Sequence, residues 1–401
     1  MKYDFTSHLE RRGMDAIAVD GVGQGWAPGA PKAGFDVIPM WVADMNFPAL
    51  PDIPEAICRR AQHPAFGYFS PTDAYYNAIC SWQKQRNGVE GLSKEHIGYE
   101  NGVLGGVVSA LSAIACPGDA VLVHSPTYIG FTNSLENAGY RIVHSPLYRD
   151  ADGIWRMDFA DMEEKLRANH IHAAILCSPH NPCGRVWTRE ELEQAMEIYR
   201  RNDCYVISDE IWSDILLDGH KHIPTQSVSA DARQRTVALY APSKTFNLAG
   251  LIGSYHIIYN DWLRDRVTAA GSKSHYNSMN VLSMHALIAA YSDAGQQWVD
   301  ELCAVLSENA RYACDHIAAH YLGVTLARPQ GTYMLFLDCS GWCQAHGCTV
   351  EEVLHAGWDV GVAWQDGRPF HGDYAIRMNL ALPLDRVQEA FARLDKYVFQ
   401  V

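Results

Sequence analysis

The chain has 401 residues, 48% of them hydrophobic and 19% charged, with a formal charge of −14. That length exceeds one ordinary core and points to two domains. The acidic balance excludes nucleic acid or an anionic membrane surface as a default partner, because neutralising phosphates needs a basic face.

The first twelve residues mix charged and polar side chains and lack the apolar core of a signal peptide. No window reads as a membrane-spanning apolar run, so a soluble protein of the cytoplasm is expected. Eleven cysteines in so long a chain lack the density of a disulfide scaffold, and reduced thiols are the expected state. Cys339, Cys343 and Cys348, with His346 nearby, match no structural zinc spacing.

In chain order, short apolar runs alternate with helical patterns from about residue 109 to 258. Helices are predicted over 109–115, 157–168 and 190–201, and strands over 120–124, 173–177, 205–208, 236–240 and 254–258. Most of these strands are rich in Val, Ile, Leu or Ala, as strands covered on both faces are. Such alternation is the pattern of an α/β protein with a mostly parallel sheet and crossover helices. Thr188 followed by Glu191 reads as a capping box that opens the third helix. Beyond residue 285 come a long helical stretch over 287–320, a strand over 332–337 and a last helix over 384–398. The predicted division is a large domain over 51–284, with 1–50 and 285–401 forming a smaller α+β domain.

Ligands of open α/β sheets sit beyond the carboxyl ends of the strands. Four polar stretches fall there: SPTYIGF with Tyr128, CSPHNPCGRVW with Asn181, SDEIW with Asp209, and APSKTFNLAG with Lys244. Taken singly, each has an ordinary explanation, such as a solvated strand end, a helix cap, core filler or a turn former. Taken together they suit a pyridinium aldehyde. A lysine can hold it as a Schiff base, a buried carboxylate can keep its ring nitrogen protonated, an amide can donate to its phenolic oxygen, and a flat aromatic face can stack on it. The stretch ENGVLGGVVSAL over 100–111 is a glycine-rich turn entering a helix, a place for a phosphate.

These stretches, with IRMNLALP at 376–383, PMWVADMNFP at 39–48, FGYF at 66–69 and QGTYMLFLD at 330–338, resemble fold-type I pyridoxal-5′-phosphate enzymes. More narrowly they resemble the MalY/PatB-type cystathionine β-lyase branch of the class-II-like aminotransferases, along essentially the whole chain. The resemblance implies the aspartate-aminotransferase-like fold, pyridoxal 5′-phosphate as cofactor, and a homodimer with shared active sites. It implies Lys244 as the Schiff-base lysine, Asp209 as partner of the ring nitrogen and Asn181 as donor to the phenolic oxygen. Tyr128 would stack on the ring, Val103 and Leu104 would form the phosphate cup, and Ser243 would add a hydroxyl. Tyr68 would reach the phosphate in the other subunit. Arg377 would grip the substrate carboxylate with its planar fork, and side-chain specificity falls to Trp41, Trp212 and Tyr333. Three positions stand out: Trp212 where the family has Tyr and this branch His, Ile252 where transaminases often carry a phosphate-binding Arg that this branch commonly lacks too, and Asn46 where the branch has Asp.

The implied reaction is α,β-elimination on cystathionine or a related S-substituted L-cysteine, giving pyruvate, ammonia and a thiol. An aminotransferase or an amino-acid racemase is the alternative, because one cofactor fold hosts several outcomes. A regulatory interaction with another protein has no support in the residues.

Overall fold

The computed structural model describes residues 1–273 and 277–400. Its centre is an eight-stranded sheet in the order Ile97–Glu100, Ser254–Ile257, Thr236–Tyr240, Tyr205–Asp209, Ala173–Cys177, Ala120–Ser125, Arg141–Arg149 and Trp155–Met157. The four strands Thr236–Tyr240, Tyr205–Asp209, Ala173–Cys177 and Ala120–Ser125 run parallel, and Arg141–Arg149 continues them. Almost every residue of those four is buried, as covering helices on both faces require. The predicted α/β architecture is therefore present. Ser254–Ile257 is a strand where one is expected, but it runs antiparallel to both neighbours. An apolar run carries no information about strand direction.

Helix boundaries follow local chemistry. Thr188 and Glu191 form the expected capping box, with Glu191 N donating to Thr188 Oγ1 at 3.2 Å and Thr188 N to Glu191 Oε2 at 2.8 Å. Met157 ends a strand rather than opening a helix, because the Asp158 carboxylate caps Phe159–Ala168 through the amides of Ala160 and Asp161. The predicted long helix over 287–320 is two helices, Val281–Ala290 and Asp293–His320. Ser292 caps the second through Gly295 N, and Gly295 passes so close to the Ala290 carbonyl that a side chain there would collide with it. The strand expected from Thr332 begins at Met334, since Thr332 sits at φ 66°, outside extended geometry.

Two small sheets complete the fold. Met334–Asp338, Ala375–Asn379 and Gln365–Asp366 form an antiparallel sheet in which Arg377 lies between Phe336 and Gln365. Ile38–Pro39 pairs in parallel with Val362–Ala363, which brings the N-terminal segment against the C-terminal part of the chain. Among the described residues no helix is long and apolar enough to cross a membrane, and no group of three His, Cys, Asp or Glu side chains could hold a metal.

Candidate active site

The order of the parallel strands sets the order of the polar groups beyond their carboxyl ends. Across the sheet edge these are Lys244, Asp209, Asn181 and Tyr128, one after each successive strand. Lys244 stands in the short helical turn Pro242–Thr245, opened by a proline whose missing N–H costs nothing at a helix start. Thr245 Oγ1 donates to buried Asp214 at 2.9 Å, and Trp82 Nε1 donates to the same carboxylate at 3.1 Å, which anchors the turn.

Lys244 Nζ donates to the carbonyl of Ala43 at 3.0 Å. Burial pulls this amine down to about 8, with Arg377 adding to the effect and Asp44 and Asp209 opposing it. Burial likewise pushes Asp209 up to about 7, against the Ile211 amide and the charge of Lys244. An amine and a carboxyl both driven toward neutrality by burial in one place make this a candidate functional site.

Arg377 is 3% exposed, and its acceptors are neutral: Asn181 Oδ1 at 3.1 Å, the Trp41 carbonyl at 3.0 Å and Gln365 Oε1 at 2.5 Å. Its guanidinium lies 4.5 Å from the Phe370 ring centroid. Burial lowers it to about 10, opposed by the nearby hydroxyls of Tyr128 and Tyr333, so it remains a cation at neutral pH. Its Nε and the hydroxyl of Tyr333 are buried, and among the described residues neither has a hydrogen-bond partner. Such atoms cost free energy unless something else satisfies them. Because Asn181 spends its oxygen on Arg377, its two amide hydrogens face other partners.

Trp212 meets Tyr333 edge to face at 4.7 Å between centroids, and Lys244 Nζ lies 5.9 Å from the Trp212 ring centroid. Val103 and Leu104 open the helix Val103–Ile114, whose first amides have no partner within the helix. Gly102 precedes them at φ 81°, a backbone state that glycine adopts without strain. Asn277 braces this turn: its Oδ1 accepts from Asn101 N at 2.6 Å, and its Nδ2 donates to the Tyr99 carbonyl at 2.9 Å and to Glu100 at 3.0 Å. Ser243 shares the Lys244 turn.

Of the predicted set, Tyr68 stands apart. It is fully exposed in a run over 61–70 that is exposed throughout. Ile252 is half exposed at φ 45°, and Asn46 is buried and accepts from Arg11 Nη1 at 2.9 Å. Trp41 is buried, with its indole donating to the Ala18 carbonyl at 2.9 Å.

Several contributors escaped the sequence reading. Arg11 pairs with Asp44 at 2.6 Å, Gln365 holds Arg377, and Asn247 and Asn379 grip the segment around Ala43. Asn379 carried a readable signal, since an amide inside the apolar run MNLAL demands buried partners.

The class defined by this sheet edge is borne out by comparison with known proteins. The model of the class I and II aminotransferases matches residues 36–394, and the chain belongs to that family. It is 34% identical to cystathionine beta-lyase PatB of Bacillus subtilis (strain 168), over 98% of each chain. It is 31% identical to protein MalY of Escherichia coli (strain K12), again over 98% of each. Among solved structures, the PLP-bound C-S lyase from Staphylococcus hominis matches with a TM-score of 0.89 at 29% identity, over 99% of this chain and 98% of that one. Cystalysin from Treponema denticola, which contains pyridoxal 5′-phosphate, matches with a TM-score of 0.89 at 28% identity over the same shares.

Proposed function

We propose that the chain is a pyridoxal-5′-phosphate-dependent carbon–sulfur β-lyase. It converts cystathionine or related S-substituted L-cysteines to pyruvate, ammonia and a thiol. The observation that carries this reading is the buried trio of Lys244, Asp209 and Arg377 on a chain matched end to end by cystathionine β-lyases.

The donor set fits the cofactor. A carboxyl that burial holds near 7 is relieved by a cationic ring nitrogen, an amine near 8 is neutral often enough to attack an aldehyde, and a helix N-terminus receives a phosphate. When bound, pyridoxal 5′-phosphate supplies an electron sink for the pair left behind at the substrate α-carbon.

The chain's own groups do the rest. Lys244 Nζ would hold the cofactor through its aldehyde carbon and, when free, would take the proton from the substrate α-carbon. The thiolate then leaves from Cβ, and the released enamine decays in water to pyruvate and ammonia. Asp209 would keep the ring nitrogen protonated, Asn181 Nδ2 would donate to the phenolic oxygen, and Tyr128 would cover the ring face. Val103, Leu104 and Ser243 would take the phosphate, joined by Tyr68 from a second copy in a homodimer. Arg377 closes its free Nε and fork on the substrate carboxylate. Trp41, Trp212 and Tyr333 flank the departing group. The indole of Trp212 can donate but cannot accept a proton, so proton removal stays with Lys244.

The division into a large domain over 51–284 and a small domain from 1–50 with 285–401 belongs to the same reading. Work in the cytoplasm is supported by eleven free thiols.

Purified protein incubated with pyridoxal 5′-phosphate and cystathionine is expected to release pyruvate, and Lys244→Ala is expected to release none. Amino transfer to a 2-oxo acid in place of pyruvate release would instead make the chain an aminotransferase.

A further inference from the structure

Six consecutive carbonyls, from Met40 to Met45, are each taken by a donor. Asn379 N donates to Met40 O at 2.8 Å, Arg377 Nη2 to Trp41 O at 3.0 Å, and Asn379 Nδ2 to Val42 O at 2.7 Å. Lys244 Nζ donates to Ala43 O at 3.0 Å, Asn379 Nδ2 to Asp44 O at 2.6 Å, and Asn247 Nδ2 to Met45 O at 2.9 Å. Five of these six acceptors are claimed by side chains, in a segment outside any helix or sheet ladder.

Asn379 is central. It is 1% exposed, its Oδ1 accepts from Ala381 N at 2.7 Å, and its Nδ2 spends one hydrogen on each of Val42 O and Asp44 O. The Ala381 contact fixes which end of the amide faces the segment. Two carbonyls one residue apart that point at a single amide leave the carbonyl between them turned the other way, toward Lys244. Arg11, bonded to both Asp44 and Asn46, holds the far side.

We propose that Asn379 is a positioning residue that aims the Ala43 carbonyl at the Lys244 amine, giving that amine a fixed station whenever it is free. A carbonyl facing an ammonium forms a charge-assisted bond, so the station favours the protonated amine. In turnover, which rests on the function proposed above, it holds the displaced amine beside the substrate α-carbon.

The test measures Lys244 itself. Full-length chain freed of bound cofactor is treated with trinitrobenzenesulfonate across a pH series, and modification of the Lys244 peptide is read by mass spectrometry. Wild type is expected to show a midpoint near 8. Asn379→Ala is expected to lower it by about one pH unit, as loss of one hydrogen bond to the charged form does. Asn379→Leu keeps about the same volume and removes both donor hydrogens without placing a charge near the amine. It is expected to give the same fall, and it serves if the alanine variant does not fold. A folded variant by circular dichroism with the wild-type midpoint overturns the proposal.

With the cofactor bound, Asn379→Ala is expected to lower kcat by roughly tenfold or more. KM should be nearly unchanged, and the isotope effect of α-deuterated substrate should rise. A uniform loss of kcat and cofactor occupancy with an unchanged isotope effect would mark a merely structural role and overturn it. The amine midpoint does not depend on what Lys244 binds. Its failure therefore leaves the β-lyase reading standing, whereas a wild-type chain that takes up no cofactor sinks that reading alone.

Discussion

At the scale of the residue, burial gives the site an electrostatic cost. Asp209 rises from an ordinary 3.8 to about 7 through burial, so the folded chain disfavours its carboxylate. The penalty is absent below the unfolded value and grows as pH rises from about 4 to about 7, where it reaches a few kcal/mol. Lys244 is the mirror case: its amine, lowered to about 8, penalises the folded state below that pH, and the penalty fades as pH rises toward 10.5. Asp209→Asn is accordingly expected to raise the melting temperature of the cofactor-free chain at pH 7 while shrinking the gain in melting temperature on adding pyridoxal 5′-phosphate. Calorimetry with and without the cofactor reads both, and a variant that loses stability in both states would contradict the account. Arg377 carries the opposite logic, a buried cation whose acceptors are all neutral. Arg377→Ala should weaken amino-acid binding by roughly 1.5–3 kcal/mol, about a tenfold to hundredfold rise in the dissociation constant, measurable by titration of the visible band.

At the scale of the element, one residue can serve a local and a tertiary role of different weight. Thr188 caps Arg189–Arg201, so Thr188→Ala is expected to cost about 1 kcal/mol in urea denaturation. Glu191 completes the same cap, yet its carboxylate also pairs with Arg185 at 2.5 Å and with Arg156 at 2.9 Å. Arg185 is 4% exposed. Glu191→Ala would leave that guanidinium buried without its carboxylate, and a loss of about 3 kcal/mol or more is expected. Equal losses for the two variants would show that the Arg185 pair adds nothing. Gly184 shows the same doubling: it sits at φ 65°, and a side chain there would run into Pro329. The turn that presents Asn181 is thereby packed against the segment leading to Tyr333.

At the scale of the whole molecule, the exposed run over 61–70 is the feature a single chain leaves unexplained. Phe66, Tyr68 and Phe69 all reach solvent there. A homodimer that buries this loop is expected to sediment at twice the chain mass. Tyr68→Ala is expected to lower affinity for pyridoxal 5′-phosphate while leaving the circular dichroism of the chain unchanged. Full cofactor affinity in that variant would remove Tyr68 from the site.

Most of the architecture was legible in the sequence, because buried strands and capped helices are written in local patterns. The runs 173–177 and 236–240 emerge as strands with those same bounds, and the Thr188 cap stands where the spacing placed it. Lys244, Asp209, Asn181 and Tyr128 could be placed side by side for a similar reason, since Asp209 ends its strand, the other three follow theirs by a few residues, and the strands are neighbours. What local pattern could not express was direction and reach. The antiparallel course of Ser254–Ile257, the break at Ser292 and the grip of Asn379 on a segment more than three hundred residues away depend on which surfaces meet after folding. Chain order fixed which side chains were available for chemistry. Only tertiary packing decided which were desolvated together, and desolvation is what moves an amine to about 8 and a carboxyl to about 7.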